Sequence, residues 1–419
     1  MNGRRRSGVK ALAPLVALLT AVVVFASSCA SNAPQDTLKP AGPRARTIHH
    51  LIVPVFGIAG VVFVLILGGA LWIAVKFRAK DDDDYNEFPE QVHGNFAAEI
   101  GWTILPAAVL AIVGLFTVVG ILDLAKKPTP QALHVEVIGQ QWWWEYRYDL
   151  DDDGTFDEII TANDLVIPAG QDISLRIRSN DVIHSWWAPR LNGKKDAVPG
   201  RTHPLTINAP EVGEYIGQCT EFCGLSHAEM RIKVVAVTPE EFEAWTEAQQ
   251  APVENPTDEQ AIEGWKLFAG SCTSCHEVRG MNDPSAVEGD ASPATSTTPF
   301  EFPEEKNQVA SLLARELDQG TGLPDLTHFM SRSTFAGAKF DLRKDTPECR
   351  ALGHTWASTE EGLATCLNRA DLEAWLRNAP SMKAMYQGDE MSPMSRGMPN
   401  FDLTEEQIDQ LVAYLITLK

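Results

Sequence analysis

CTEFCGLSHAEM, residues 219–230, places two cysteines, a histidine and a methionine within one short loop. Thiolate, imidazole and thioether are soft to borderline donors, and together they select copper over magnesium or calcium. One cysteine with two histidines and a methionine would make a mononuclear copper site, so the second cysteine is the informative departure. Two thiolates can each bridge two metals, giving a copper pair in which one electron is shared. The second histidine must come from elsewhere. His184, in VIHSWW (182–187) after a predicted strand, is the best placed. A zinc site or a Cys219–Cys223 disulfide is the competing reading, and a disulfide would leave His227 and Met230 unexplained.

The sequence around this loop reads as strands. Leu133, Val135 and Val137 alternate with His134, Glu136 and Ile138, and Ile173, Leu175 and Ile177 alternate with Ser174, Arg176 and Arg178. Residues 232–237 form another candidate strand, and turns fall at 151–154, 168–170, 192–193 and 199–200. Short strands punctuated in this way predict a β-sandwich or small barrel over residues 130–240. Residues 239–250 look helical and 251–256 form a linker.

From residue 257 the period changes. Thr257-Asp258-Glu259-Gln260 has capping-box form, and Ala261, Gly264, Trp265 and Phe268 follow at helical spacing. Thr404-Glu405-Glu406-Gln407 opens a second such helix, with Ile408, Leu411, Val412 and Leu415 on one stripe. Gly264 would permit a close crossing against Leu411 and Tyr414. Between these helices lies CTSCH, residues 272–276. Cys-x-x-Cys-His is the attachment signature of c-type haem: Cys272 and Cys275 form thioethers and His276 ligates iron. A thioredoxin-like redox pair would need a βαβ context, which the predicted helices do not supply. The sixth ligand should come from the methionine-rich stretch downstream, with Met398 favoured and Met394 next. Residues 281–308, rich in Ser, Thr, Pro and acid, read as an insertion into a 257–419 domain.

Upstream, three runs carry no Asp, Glu, Lys or Arg: 11–28, 51–75 and 100–122. The first follows Arg4, Arg5, Arg6 and Lys10 and reads as a signal peptide over 1–28. Cys29, directly after it, resembles a lipidation site, with an ordinary signal or an uncleaved third span as the alternative. The other two runs exceed the roughly 20 residues needed to span a bilayer and predict a transmembrane hairpin over 45–125. Loop charges do not set its orientation. The signal and the haem motif do, placing everything after Leu122 outside the cytoplasm. The net charge of −21 argues against nucleic-acid binding. It suits solubility or recruitment of a basic redox partner. The remaining cysteines, Cys349 and Cys366, suit a disulfide in an oxidising compartment, two buried thiols being the alternative.

The copper-type loop, with HSWWAPRLNGKKDAVPG (184–200), QWWWEYRY (141–148) and EIGWTILP (99–106), resembles subunit II of haem–copper cytochrome c oxidases over roughly residues 45–240. The resemblance implies a cupredoxin-like domain holding a dinuclear CuA centre. Cys219 and Cys223 would bridge, His184 and His227 would each hold one copper, and Met230 and the Glu221 carbonyl would be weak axial ligands. The Glu221 side chain would reach a magnesium ion shared with subunit I. Trp142 matches the family's electron-entry position, and Glu99 matches a glutamate at the mouth of a proton path. GMPNF (397–401) resembles the distal-methionine loop of class I cytochromes c, and the segment around His328 resembles one lining the haem, where His328 reads as structural.

A subunit II with its own cytochrome resembles the caa3-type arrangement. The implied architecture is a two-helix transmembrane hairpin, an all-β CuA domain and an all-α cytochrome c domain at a bacterial cell membrane. The implied role is electron input, from an external cytochrome or a complex III-type donor through haem c and CuA to subunit I, which reduces oxygen and pumps protons. Membrane lipid and other oxidase subunits are the further partners. The equivalent arm of a CuA-containing nitric oxide reductase is the alternative.

Overall fold

A computed structural model describes residues 33–78, 93–273, 275–280, 324–385 and 397–419. The readings on the signal peptide, Cys29, the 281–308 insertion and Met394 lie outside the described residues.

Two long helices open the described chain, α1 (Pro43–Lys76) and α2 (Phe96–Leu124), with mean hydropathies of 2.8 and 2.6 over their most apolar stretches. Both run past the uncharged segments at their ends, because polar residues there can sit outside an apolar layer while the helix continues. Asn95 caps α2 by accepting from the Ala98 amide at 3.1 Å. Pro54 and Pro106 are accommodated within the helices. Thr47 donates to Asp123 at 2.9 Å and ties the start of α1 to the end of α2. The middle of each helix leaves large apolar side chains exposed, among them Phe63, Ile66, Leu115 and Phe116. Such a surface needs an apolar surround.

Ten strands follow: β1 (Leu133–Gln140), β2 (Trp143–Asp149), β3 (Ile159–Ala162), β4 (Asp164–Pro168), β5 (Ile173–Ser179), β6 (His184–Trp186), β7 (Lys195–Ala197), β8 (His203–Ile207), β9 (Gly213–Gln218) and β10 (Arg231–Val237). They build a five-stranded sheet in the order β3-β2-β1-β5-β8 and a three-stranded sheet in the order β4-β10-β9, while β6 and β7 pair separately. The β1–β5 and β4–β10 contacts are parallel; the other pairs are antiparallel. Alternation is clean on β5, where Ile173, Leu175 and Ile177 are buried and Arg176 is exposed. It fails on β2, where all seven residues are buried. One face of β2 enters the core with Trp144, Tyr146 and Tyr148; the other carries Glu145 and Arg147, and is covered by the C-terminal part of the chain.

The C-terminal part contains α3 (Pro239–Gln250), α4 (Glu259–Ser271), the short ribbon β11–β12 (Thr334–Phe335 with Phe340–Asp341), α5 (Pro347–Ala351), α6 (Glu360–Cys366), α7 (Arg369–Met382) and α8 (Glu405–Leu415). Thr404 and Gln407 make the capping box that opens α8. At α4 the cap is one residue later than the sequence suggested: Asp258, not Thr257, accepts from the Gln260 and Ala261 amides. A carboxylate outcompetes the neighbouring hydroxyl as acceptor for these positively polarised amides. Ala261, Gly264, Trp265 and Phe268 of α4 and Ile408, Leu411, Val412 and Leu415 of α8 are all buried. The helices cross at Gly264, where an added Cβ would lie 1.9 Å from the Gln410 carbonyl oxygen and 3.0 Å from Tyr414 Cβ. Cys349 and Cys366 form a disulfide in this core.

The two parts are joined by buried polar contacts. Asp164 at the start of β4 accepts from the Ser333 amide and hydroxyl, both at 2.6 Å, and from the Thr334 hydroxyl. The Arg231 amide donates to the Gly337 carbonyl at 2.9 Å, and Arg343 pairs with Glu214 at 2.7 Å.

Candidate metal centre and adjoining crevice

The loop between β9 and β10 is folded back by backbone bonds. The Cys219 amide donates to Met230 O at 2.9 Å and the Thr220 amide to Ser185 O at 3.0 Å. These bonds bring His184, at the start of β6, against the loop. His184, Cys219, Cys223 and Met230 are all buried. The donor atoms of His184, Cys219 and Cys223 lie within 4.8 Å of one another. The Cys219 and Cys223 sulfurs are 3.9 Å apart, His227 Nδ1 is 3.6 Å from Cys223 Sγ, and Met230 Sδ is 3.9 Å from the same sulfur. Cys219 Sγ also lies 3.3 Å from the Glu221 carbonyl oxygen, while the Glu221 side chain is exposed.

His184 is held by its other nitrogen. Nε2 bonds Asp181 Oδ1 at 2.7 Å, and Nδ1 is buried without a partner among the described residues. The ring packs edge-on to Trp144 and lies over Gly139, where an added Cβ would be 2.9 Å from the imidazole. The thiols are polarised against each other: the bond from Cys223 pulls Cys219 well below the ordinary thiol range, and the same bond pushes Cys223 up. Two sulfurs competing for one proton, beside an orphaned imidazole nitrogen and a thioether, fit a thiophilic metal better than they fit a protonated apolar site.

Trp142 sits directly behind this loop. Its Nε1 donates to the Cys223 carbonyl at 3.1 Å, and Gln141 Nε2 donates to the same oxygen at 2.6 Å. Trp142 is only 3% exposed, so it is a buried contact rather than a surface patch. Its other side lines a mainly apolar crevice with about 1400 Å³ of atom-free space including the open mouth. Cys272, Cys275, His276 and Met398 line this crevice too, as does Trp143. The Cys275 and His276 amides both donate to Cys272 O, at 3.0 and 2.8 Å, curling the motif just past α4. His276 Nδ1 bonds the Pro324 carbonyl at 3.1 Å, and burial holds the imidazole below its usual pKa range. A neutral ring with one nitrogen already bonded is the form that can ligate through the other. The two thiols and this ring on an apolar cleft fit a covalently held planar macrocycle.

Two residues here were not marked in the sequence: Arg332 and Lys383 are buried side chains lining the crevice. No local motif marks them; only the tertiary fold brings them there. Met385, from the methionine-rich stretch, lines it beside Met398. His328 does not line the crevice: its Nδ1 bonds Lys419 O near the C-terminus. Glu99 is exposed in the first turn of α2, far in sequence from the metal loop.

An apolar helical hairpin carrying a β-sheet domain with a two-thiolate metal site defines a membrane-anchored, cupredoxin-like class of protein. Residues 133–237 match the family "Cytochrome C oxidase subunit II, periplasmic domain", and residues 31–119 match "Cytochrome C oxidase subunit II, transmembrane domain". The chain is 30% identical over 408 residues to cytochrome c oxidase subunit 2 of Alkalihalophilus pseudofirmus, covering 96% of each. It is 29% identical over 398 residues to cytochrome c oxidase subunit 2 of Bacillus sp. strain PS3, covering 92% of this chain and 91% of that one. Among solved structures, the periplasmic domain of subunit II of Bradyrhizobium japonicum cytochrome oxidase is 30% identical, with a TM-score of 0.27, covering 30% of this chain and 96% of that one. The chain belongs to the cytochrome c oxidase subunit II family, whose members are subunits of an oxidoreductase. Membership implies a membrane protein with a periplasmic domain, a CuA copper centre and a subunit I partner.

Proposed function

We propose that this chain is the electron-input arm of a cytochrome c oxidase that carries its own cytochrome c, taking electrons from an external cytochrome or a complex III-type donor and delivering them to subunit I. Cys219, Cys223, His184, His227 and Met230, with the Glu221 carbonyl, would hold the copper pair. Cys272 and Cys275 would anchor haem c, and His276 and Met398 would ligate its iron. The Glu221 carboxylate would reach magnesium at the border with subunit I, and Glu99 would stand at the mouth of a proton path. When bound, the copper pair and the haem would each supply a one-electron carrier.

The observation that carries this reading is the position of Trp142. It lines the crevice that holds Cys272, Cys275 and His276, and it donates a hydrogen bond to the backbone of a copper-site cysteine. That placement supports reading Trp142 as an entry point reached from within the chain, between two sites on one polypeptide. Linking both sites on one polypeptide replaces a diffusional encounter by a standing contact. Arg332 gives the crevice a positive charge that an anionic cofactor edge could use.

The test is elemental and spectroscopic analysis of the purified full-length chain. The expected result is two copper atoms per haem iron, a mixed-valence two-copper signal and a c-type haem spectrum. One copper per iron, or no covalent haem, overturns the reading.

A further inference from the structure

At the end of β2 away from Trp143, the link to β3 reads DLDDDGTFDE, residues 149–158. Asp149, Asp151 and Asp153 recur at alternate positions before Gly154. This is the arrangement in which a loop wraps a calcium ion, with side-chain oxygens at positions one, three and five and a glycine at six for the sharp turn. Gly154 has φ +88°, as that turn requires. The ligand oxygens of Asp149, Asp151, Asp153 and Glu158 all lie within 4.8 Å of one another.

A cluster of acids on a surface loop would be unremarkable if every oxygen faced water. Here one does not. Asp149 is 5% exposed, and its Oδ1 is buried with no hydrogen-bond partner among the described residues. Its Oδ2 accepts from the Gly154 amide at 3.2 Å, which fixes the carboxylate against the loop. Glu158 Oε2 is likewise buried and unpartnered. Among the described residues none of the four forms an ion pair; the nearby His134 pairs with Asp152, outside the set, at 3.7 Å. Four carboxylates converging without a cation repel one another. Burial, with a hydrogen bond shared with Asp151 among the lesser causes, raises the Glu158 pKa.

We propose that this loop binds a calcium ion through Asp149, Asp151, Asp153 and Glu158. All four donors are hard oxygens, which excludes the copper chemistry of the β9–β10 loop. Calcium tolerates a flexible shell of six to eight oxygens, whereas magnesium demands a near-octahedral one. The glutamate comes at the tenth position of the loop, where a helix–loop–helix calcium site has it at the twelfth. The chain enters β3 at Ile159, so the last ligand must be supplied before the strand begins. Bound calcium would pin the edge strand β3 to β2, the strand that ends in Asp149.

The purified full-length protein in detergent, copper- and haem-loaded and stripped of calcium by a chelator, is titrated with calcium chloride and separately with magnesium chloride in a calorimeter. One calcium per chain is expected, with magnesium at least about tenfold weaker, and calcium should raise Tm by a few degrees. The double substitution Asp151→Asn/Asp153→Asn alters two exposed side chains and should lose calcium binding and the Tm shift while keeping the copper spectrum. Glu158→Gln, as a second variant, should weaken binding at least about tenfold. No calcium binding by the parent protein, unchanged binding in both variants, or equal affinity for magnesium overturns the assignment.

Discussion

His184 shows how much of the metal site depends on a single side chain outside the ligand set. Asp181 holds its Nε2 at 2.7 Å, which leaves Nδ1 free for the sulfur side. Asp181→Ala should lower copper affinity about 10- to 100-fold, because ligand orientation is set by such outer contacts. Competition with a copper chelator measures this, and an unchanged circular dichroism spectrum would show that the fold is intact. The donor types were legible in the sequence because four ligands sit within twelve residues, 219–230. Asp181 was not, since an aspartate three residues before a histidine carries no distinctive pattern. Trp142 was legible as a position but not as a contact: the bond to Cys223 O joins residues 81 apart.

At the scale of elements, periodicity did most where one face meets a core and the other meets water. Both stripes named for α4 and α8 are buried, and their crossing falls at Gly264. Gly264→Ala would drive a methyl into the Gln410 carbonyl, so the helices must separate. The expected loss is about 1–3 kcal/mol, read as a lower Tm of the purified protein; a neutral or stabilising effect would contradict the close crossing. Alternation failed on β2 for a definite reason. Glu145 and Arg147 alternate with Trp144, Tyr146 and Tyr148, yet they are buried as a pair, with Asp325 from far downstream close enough to act on Glu145. A pattern of period two reports burial by the strand's own sheet and is blind to what docks later.

For the whole molecule, the two apolar helices and the β unit could be read from composition and period. How the units seat against each other could not, because the contacts are isolated polar residues such as Asp164, Ser333 and Lys383. Lys383 donates to Trp142 O and Ala336 O, both at 2.7 Å, from a buried position. Burial, and then repulsion from Lys339, lowers its pKa to about 7. The unfolded chain therefore holds that proton more tightly than the folded one. Between about pH 7 and the ordinary lysine value of about 10.4 the contribution of this residue to stability should rise with pH; below pH 7 the full cost of a buried ammonium remains. Lys383→Met should flatten that rise in urea titrations followed across the interval, and an unaltered slope would refute it. The crevice also has a consequence for cohesion. It is lined by Trp142 and Trp143 of the β unit and by Cys272 and Cys275 of the C-terminal part. A molecule seated there touches both units at once, so its loss should loosen the seam between them as well as empty the cleft.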